Sequence, residues 1–256
     1  MVQKSHCHSI WLCSFRFLLT IMALMRSCKL FSISILIAAL FLNLSCKNAI
    51  AYPVENRAFA ADSAADISAL VADSAYKEPV SVSGVKVFTQ KISCGYAVLQ
   101  MLGGFAGKSI TEEALFEQNN HTVTTALGSG FLDECQKQFP EWKVTKAASL
   151  SDLEYLKTIY DCLKSGFPVP FEFAAQDVEK NWTLHFALIT GMNLLEDKIT
   201  VANPYGYMET YSTEDFLKAT RYECYNNMEW YFAAGFSMGI FHKNTLYILE
   251  NKEGVL

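Results

Sequence analysis

The chain has 256 residues, of which 51% are hydrophobic, and it carries a formal net charge of −5. The first 51 residues contain five Lys and Arg and no Asp or Glu, so the remainder holds 16 bases against 26 acids, a net charge of −10. Such an acidic body argues against nucleic acid and against anionic membrane surfaces as partners.

The N-terminal segment has the three parts of a secretory signal peptide. A basic start at Arg26 and Lys29 precedes an apolar run over 30–44, and Ala49–Ala51 offers a small-x-small cleavage site. The run is shorter than the roughly 20 residues that a spanning helix needs. We therefore expect cleavage near 51/52 and export to the periplasm, the cell surface or the medium. An uncleaved anchor and a lipidated Cys46 are the alternatives, and they provide the only membrane contact we expect.

Composition divides the chain into three parts. Residues 1–51 form an N-terminal extension with the signal peptide. Residues 52–84 are rich in Ala, Ser and Asp and have few large apolar side chains, which predicts a mobile or weakly helical low-complexity linker. Residues 85–256 carry the apolar patterns of a folded domain.

The cysteines divide between the extension and the domain. Four of the eight lie within residues 1–51, and the others are Cys94, Cys135, Cys162 and Cys224. None of these shows C-x-x-C spacing, so we expect no metal site, and we expect no cofactor. In an exported protein, one disulfide among the last three is possible.

In the domain, helical patterns come first and strand patterns follow. After an extended stretch over 85–90, apolar spacing and N-caps predict helices over 94–102, 111–118, 130–139 and 151–166, the first ended by two glycines at 103–104. Short β-branched and aromatic runs predict strands over 167–175, 183–192, 198–206, 228–238 and 245–251, interrupted by one helix over 212–220. This order favours an α+β fold with N-terminal helices packed on a C-terminal antiparallel sheet.

Cys94 stands where the extended stretch becomes a helix. A helix N-terminus lowers the pKa of a thiol and so favours the nucleophilic thiolate. Gly95, directly after it, leaves room for a substrate backbone to approach. Taken alone, such a cysteine is more often a small buried hydrophobe.

His185 is the histidine best placed to act as the base. It lies in a predicted strand between two apolar neighbours, so its side chain points away from theirs. The next strand ends at Asn203, before a Pro-Tyr-Gly turn, and two strands joined by a short loop are antiparallel neighbours. Asn203 then falls near the height of His185, where its amide can orient the ring.

Three stretches carry a resemblance to a known family. "TQKISCGYAVLQMLGGF", "LHFALITGMNLLEDKITVANPYG" and "YSTEDFLKA" resemble parts of the C39-like, papain-fold cysteine peptidases. The resemblance implies a papain-like, C39-type peptidase domain over 85–256 with a Cys–His–Asp/Asn triad. It implies that Cys94 is the nucleophile, His185 the base and acid, Asn203 the orienting residue and Gln90 the oxyanion donor.

Three functions are compatible with these residues. The first is an exported thiol hydrolase, most simply a cysteine peptidase that forms an acyl-enzyme on a peptide or protein substrate, with Trp182 and Tyr205 in the substrate cleft. The second is a binding module that keeps the fold without catalysis, which the short spacing between Gln90 and Cys94 favours. The third is an acyl transferase or amidase on the same triad.

Overall fold

The computed structural model describes residues 67–126, 128–177, 179–223 and 230–252. All of them belong to the second of the two units into which the chain divides, Ala58–Leu256. The predicted signal peptide with its cleavage site, Cys46 and Cys224 lie outside the described residues.

An antiparallel sheet, with seven strands in the described residues, forms the centre of this unit. In the described residues its strands are β1 (Val80–Ser81), β2 (Trp142–Ala147), β3 (Val169–Gln176), β4 (Trp182–Asn193), β5 (Lys198–Asn203), β6 (Tyr207–Tyr211) and β7 (Thr245–Asn251). Their order is β2-β7-β3-β4-β5-β6, and β1 pairs with the end of β4. The last strand of the described residues, β7, thus lies between β2 and β3.

The described helices are α1 (Cys94–Phe105), α2 (Glu112–Gln118), α3 (Gly130–Gln138), α4 (Asp152–Lys164), α5 (Thr213–Thr220) and α6 (Trp230–Ser237). Ser93, Thr111, Ser151 and Ser212 each cap the N-terminus of a helix through the side-chain oxygen, which accepts a backbone N–H of the first turn. These local signals explain why the helices begin where the sequence predicts.

Two apolar clusters cover the two faces of the sheet. The cluster on the α1 face contains α1 and the inward residues of α2 and α3, among them Leu99, Leu115 and Phe131. The cluster on the α4 face contains the inward residues of α4 and α5, among them Ile159 and Phe216. Side chains alternate between these faces along β4, so Phe186 joins the α1 face while Ala187 joins the α4 face. The predicted α+β class is confirmed.

Part of the segment assigned to a linker packs on the domain. Helical backbone over 67–72 places Leu70, which is 2% exposed, in the cluster on the α4 face, and Val80 and Ser81 pair with β4. The Tyr160 hydroxyl donates to the Glu78 carbonyl across this contact. The boundary at 84/85 stays a prediction, but from residue 67 the chain already contacts the core.

Two element predictions are wrong. The run 228–238 contains helix α6 rather than a strand, because Phe232 and Phe236, four residues apart, both contact Phe241.

The glycines at 103–104 do not end α1, which continues to Phe105. Gly103 instead lets Ile110 approach the helix closely. Strands β2 and β6 were not predicted.

The described cysteines are Cys94, Cys135 and Cys162, and all three are free thiols. Cys135 lies in the α1-face cluster and Cys162 in the α4-face cluster, so the sheet separates them. Burial raises the pKa of both thiols to about 12. Within the described ranges, no helix has the length and apolarity to cross a membrane, and no group of His, Cys, Asp and Glu side chains could hold a metal ion.

Candidate active site

A buried carboxylate organises the loop that leads to Cys94. Glu112, at the start of α2 and 1% exposed, accepts the backbone N–H groups of residues 91, 92 and 93 at 2.9–3.0 Å. Its own N–H donates to Gln100 Oε1 on α1 at 3.1 Å. Consecutive N–H groups that converge on one anion form a nest, which fixes the loop backbone directly before the cysteine.

Cys94 is the first residue of α1 and is half-buried as a residue, but its thiol group is enclosed by protein. Burial raises the pKa of this thiol. The N–H groups of Phe186, Gly95 and Cys94 itself act in the opposite direction, and the charge of Glu112 adds a smaller increase. The net shift is upward, so the expectation of a lowered thiol pKa is wrong. Desolvation outweighs the helix terminus, and Cys94 is a protonated thiol at neutral pH.

The contact with Phe186 brings Cys94 beside the strand that carries His185. Tyr205 links the two further, since its ring stacks on the His185 ring with centroids 4.3 Å apart and a charge on Cys94 would raise the Tyr205 pKa. In the described part of the chain no hydrogen bond joins the thiol to the imidazole. In the proposed reaction the thiol and the imidazole must therefore come within hydrogen-bond distance before the proton can pass.

His185 and Asn203 meet as the strand register predicts. His185 Nε2 and Asn203 Oδ1 are 3.0 Å apart, and the residues are 1% and 2% exposed. Oδ1 also accepts the Tyr205 N–H at 2.9 Å, and Asn203 Nδ2 donates to Glu209 Oε1 at 2.8 Å. With Oδ1 facing the ring, Nε2 is the donor. The neutral ring then keeps its lone pair at Nδ1, which is the arrangement a general base needs.

Burial lowers the pKa of His185 to about 4, although the hydrogen bond to Asn203 acts in the opposite direction. The ring is packed edge-on against Phe173, its partner in the β3–β4 register, with centroids 5.5 Å apart. Cys94 and His185 are therefore both neutral at pH 7, and the thiol proton must pass to the imidazole during attack.

The neutral His185 predicts an acid-sensitive fold. Its folded pKa of about 4 lies below its unfolded value of 6.5, so between these values only the unfolded state binds the proton. Stability is thus full above pH 6.5 and falls as the pH decreases toward 4. We expect protonation of His185 in the unfolded state to lower the unfolding free energy by about 2 kcal/mol when the pH decreases from 7 to 5.

Urea unfolding at both pH values measures this, with His185→Gln as the comparison, because all other groups titrate equally in the two proteins. The variant should lose about 2 kcal/mol less than the wild type over the same interval. Equal losses would contradict the neutral, buried assignment.

The turn after β5 is tied to the segment before Cys94. The Gln90 N–H donates to the Pro204 carbonyl at 2.7 Å, and Thr89 packs against Gly206, whose φ is +101°. Gln90 Oε1 is buried and has no hydrogen-bond partner. Gln90 is thus held beside the turn that carries Asn203, and its role as oxyanion donor stays a prediction.

Gly95 packs closely against a neighbouring turn. A Cβ at this position would lie 2.3 Å from Thr125 Oγ1, in the short 3-10 turn Thr124–Ala126. Gly95 therefore permits the close packing of this turn on the start of α1. Its contact with a substrate backbone stays a prediction.

We expect Gly95→Ala to destabilise the protein by about 1–3 kcal/mol, because the new methyl group overlaps the Thr125 side chain. Gly104→Ala in the same helix is the matched control. Its Cβ would meet Phe88 at 3.7 Å, an ordinary contact, so this change should be neutral or slightly stabilising. Denaturant midpoints compare the two variants. Equal effects would contradict the packing role of Thr125.

The two predicted cleft aromatics differ in position. Tyr205 is half-buried and stacks on His185. Trp182 is half-buried at the first residue of β4, opposite Gln176. The described contacts connect only Tyr205 to the site.

The family comparison covers all of these elements. A model described as the Peptidase_C39 like family matches residues 82–230, more than half of the chain. The chain belongs to the Peptidase_C39 like family. The match includes Gln90, Cys94, His185 and Asn203 and confirms the resemblance noted in the sequence.

Solved structures add a distant likeness to this C39-like chain. A double glycine motif protease from an AMS/PCAT transporter, solved in complex with the leader peptide, matches with a TM-score of 0.41 and 13% identity. The match covers 68% of this chain and 98% of that one. At this distance the likeness carries no argument about activity. No curated protein matches the chain.

Sequence reasoning missed three residues of this C39-like site. These are Glu112, Thr125 and Glu209. The acidic N-terminus of α2 was the only signal for Glu112, because its partners in the loop lie 19–21 residues earlier.

Proposed function

We propose that this chain is an exported cysteine peptidase that acts on a peptide or protein substrate. The family supports a peptidase-like fold. The observation that carries the catalytic part is the buried hydrogen bond between His185 Nε2 and Asn203 Oδ1, with Cys94 beside the next residue of the same strand. Export rests on the pattern of residues 1–51.

In the proposed reaction, Cys94 Sγ attacks the scissile carbonyl carbon as its proton passes to His185 Nδ1. The imidazolium then gives this proton to the leaving amine, and the C–N bond breaks to leave a thioester. His185 next takes a proton from water, whose oxygen attacks the thioester carbon. The C–S bond breaks to release the carboxylic acid, and His185 returns the proton to the Cys94 sulfur. Asn203 holds the ring throughout, and Gln90 and the N–H groups at the start of α1 stabilise the oxyanion.

The test uses the full chain, purified in mild detergent, and a proteome-derived peptide library. We expect new peptide termini, read by mass spectrometry, that are absent with Cys94→Ala. A peptidyl vinyl sulfone should modify Cys94 and should leave Cys135 and Cys162 unmodified. Failure of both cleavage and modification would overturn the proposal.

A binding module is the second candidate, and the pKa shifts favour it. The upward shift at Cys94 and the downward shift at His185 both oppose a preformed thiolate–imidazolium pair. A peptide that binds equally well to wild type and Cys94→Ala without being cleaved would support this candidate. Preferential transfer of the acyl group to an added amine acceptor, with little hydrolysis in water, would instead indicate transfer chemistry on the same triad.

A further inference from the structure

Glu209 lies on β6, on the far side of Asn203 from the histidine. Its Oε1 accepts both Asn203 Nδ2, at 2.8 Å, and the Tyr211 hydroxyl. The side chain is half-buried. A carboxylate has only acceptor atoms, so the group of Asn203 that faces it must be the NH₂.

The hydrogen bond to Glu209 also constrains His185, which is hydrogen-bonded to the other end of the same Asn203 amide. With Nδ2 held by Glu209, Oδ1 faces the ring and the Tyr205 N–H. A flipped amide would turn its NH₂ toward the Tyr205 N–H, donor against donor, and its oxygen toward the Glu209 carboxylate, acceptor against acceptor. The flipped amide would also point its NH₂ donor at His185 Nε2. Nε2 would then have to accept this hydrogen bond, so the ring proton would sit on Nδ1. In that tautomer Nδ1 is no longer a base.

We propose that Glu209 is a positioning residue that fixes the Asn203 amide and, through it, the Nε2–H tautomer of His185. The catalytic part of this inference rests on the proposed function, but the tautomer does not. Glu209 acts on one end of the amide and the Tyr205 N–H on the other. Removal of Glu209 leaves the NH₂ of the buried Asn203 side chain without its acceptor, and it leaves only one of the two constraints on the orientation of the amide.

The Tyr211 hydroxyl holds the Glu209 carboxylate in place, and two further tyrosines feel its charge. Burial, the hydrogen bond to Glu209 and the Glu209 charge raise the pKa of Tyr211, and the same charge contributes to the raised pKa of Tyr205 and Tyr207. All three are neutral over the working pH range, and within the described residues Glu209 forms no ion pair with a Lys, Arg or His side chain. Its strongest available donors are the Tyr211 hydroxyl and the Asn203 amide.

The test compares Glu209→Leu with Glu209→Gln. Leucine removes the acceptor, whereas glutamine can still accept Asn203 Nδ2 through its Oε1. Long-range ¹H–¹⁵N NMR spectra of the full chain report the His185 tautomer directly. We expect a single Nε2–H tautomer in the wild type and in Glu209→Gln, and a mixture with faster exchange of the Nε2 proton in Glu209→Leu.

Glu196→Leu is the charge control, because it removes an exposed acid from the turn between β4 and β5. It should leave the tautomer unchanged. Where hydrolysis is measurable, kcat of Glu209→Leu should fall roughly 10- to 100-fold with little change in KM. A wild-type tautomer in Glu209→Leu would overturn the inference, as would a Glu209→Gln variant that behaves like leucine. Absent hydrolysis with the expected tautomer shift would overturn the proposed function and leave the positioning role intact.

Discussion

Replacing Cys94 by alanine should abolish hydrolysis and leave the fold intact. The proposed reaction forms its covalent bond at this sulfur, so we expect turnover to fall on the order of a thousandfold or more. Cys94 is a small, half-buried residue at the start of α1, and Ser93 still caps the helix. The unfolding free energy should therefore change by less than about 1.5 kcal/mol.

Cys94→Ser should be equally inactive, because a hydroxyl is far less acidic than a thiol and His185 is a weak base in its buried position. Cys162→Ala is the matched control, since it removes a thiol from the opposite face of the sheet. Turnover and urea midpoints of the three variants show whether Cys94 is needed for hydrolysis or for folding. Hydrolysis that survives in Cys94→Ala would remove this residue from the reaction, and loss of folding would make its role structural.

The second large effect is expected at Glu112. In Glu112→Ala, three N–H groups of residues 91–93 lose their acceptor, which should cost roughly 3 kcal/mol or more of unfolding free energy. Glu112→Gln keeps one acceptor oxygen, so its unfolding free energy should lie between those of the wild type and Glu112→Ala. Because the freed loop carries Cys94, vinyl sulfone modification should also slow.

Glu113 provides the control for this prediction. It is the next residue of the same helix, it is exposed, and it pairs with Lys91 on the surface. Glu113→Ala should change stability and modification little, because exposed ion pairs contribute little. Similar losses in the two alanine variants would show that the charge of the helix terminus, rather than the buried nest, is what stabilises the loop.

Local signals in the sequence were enough for most helices. Thr111, Ser151 and Ser212 cap the helices that they predict, because a cap depends only on residues within one turn. The meeting of His185 and Asn203 was also predictable, since a short connection makes β4 and β5 neighbours and the pairing sets their heights.

Other features depend on packing between distant segments. The aromatic run over 228–238 fits a strand by composition, and only the shared contact with Phe241 shows its helical spacing. The upward pKa shift of Cys94 could not be predicted either, because it depends on how much protein surrounds the sulfur. The same holds for the space beside Gly95, which the sequence leaves open and Thr125 fills.

The position of β7 bears on when the protein becomes active during its synthesis. The ribosome makes this strand after every residue of the candidate site, yet it belongs between β2 and β3. Until it emerges, β3 lacks its neighbour on that side and β2 has no partner in the sheet. A nascent chain that already contains Cys94, His185 and Asn203 therefore has no complete support for them, and hydrolytic activity is expected only after translation has passed residue 251.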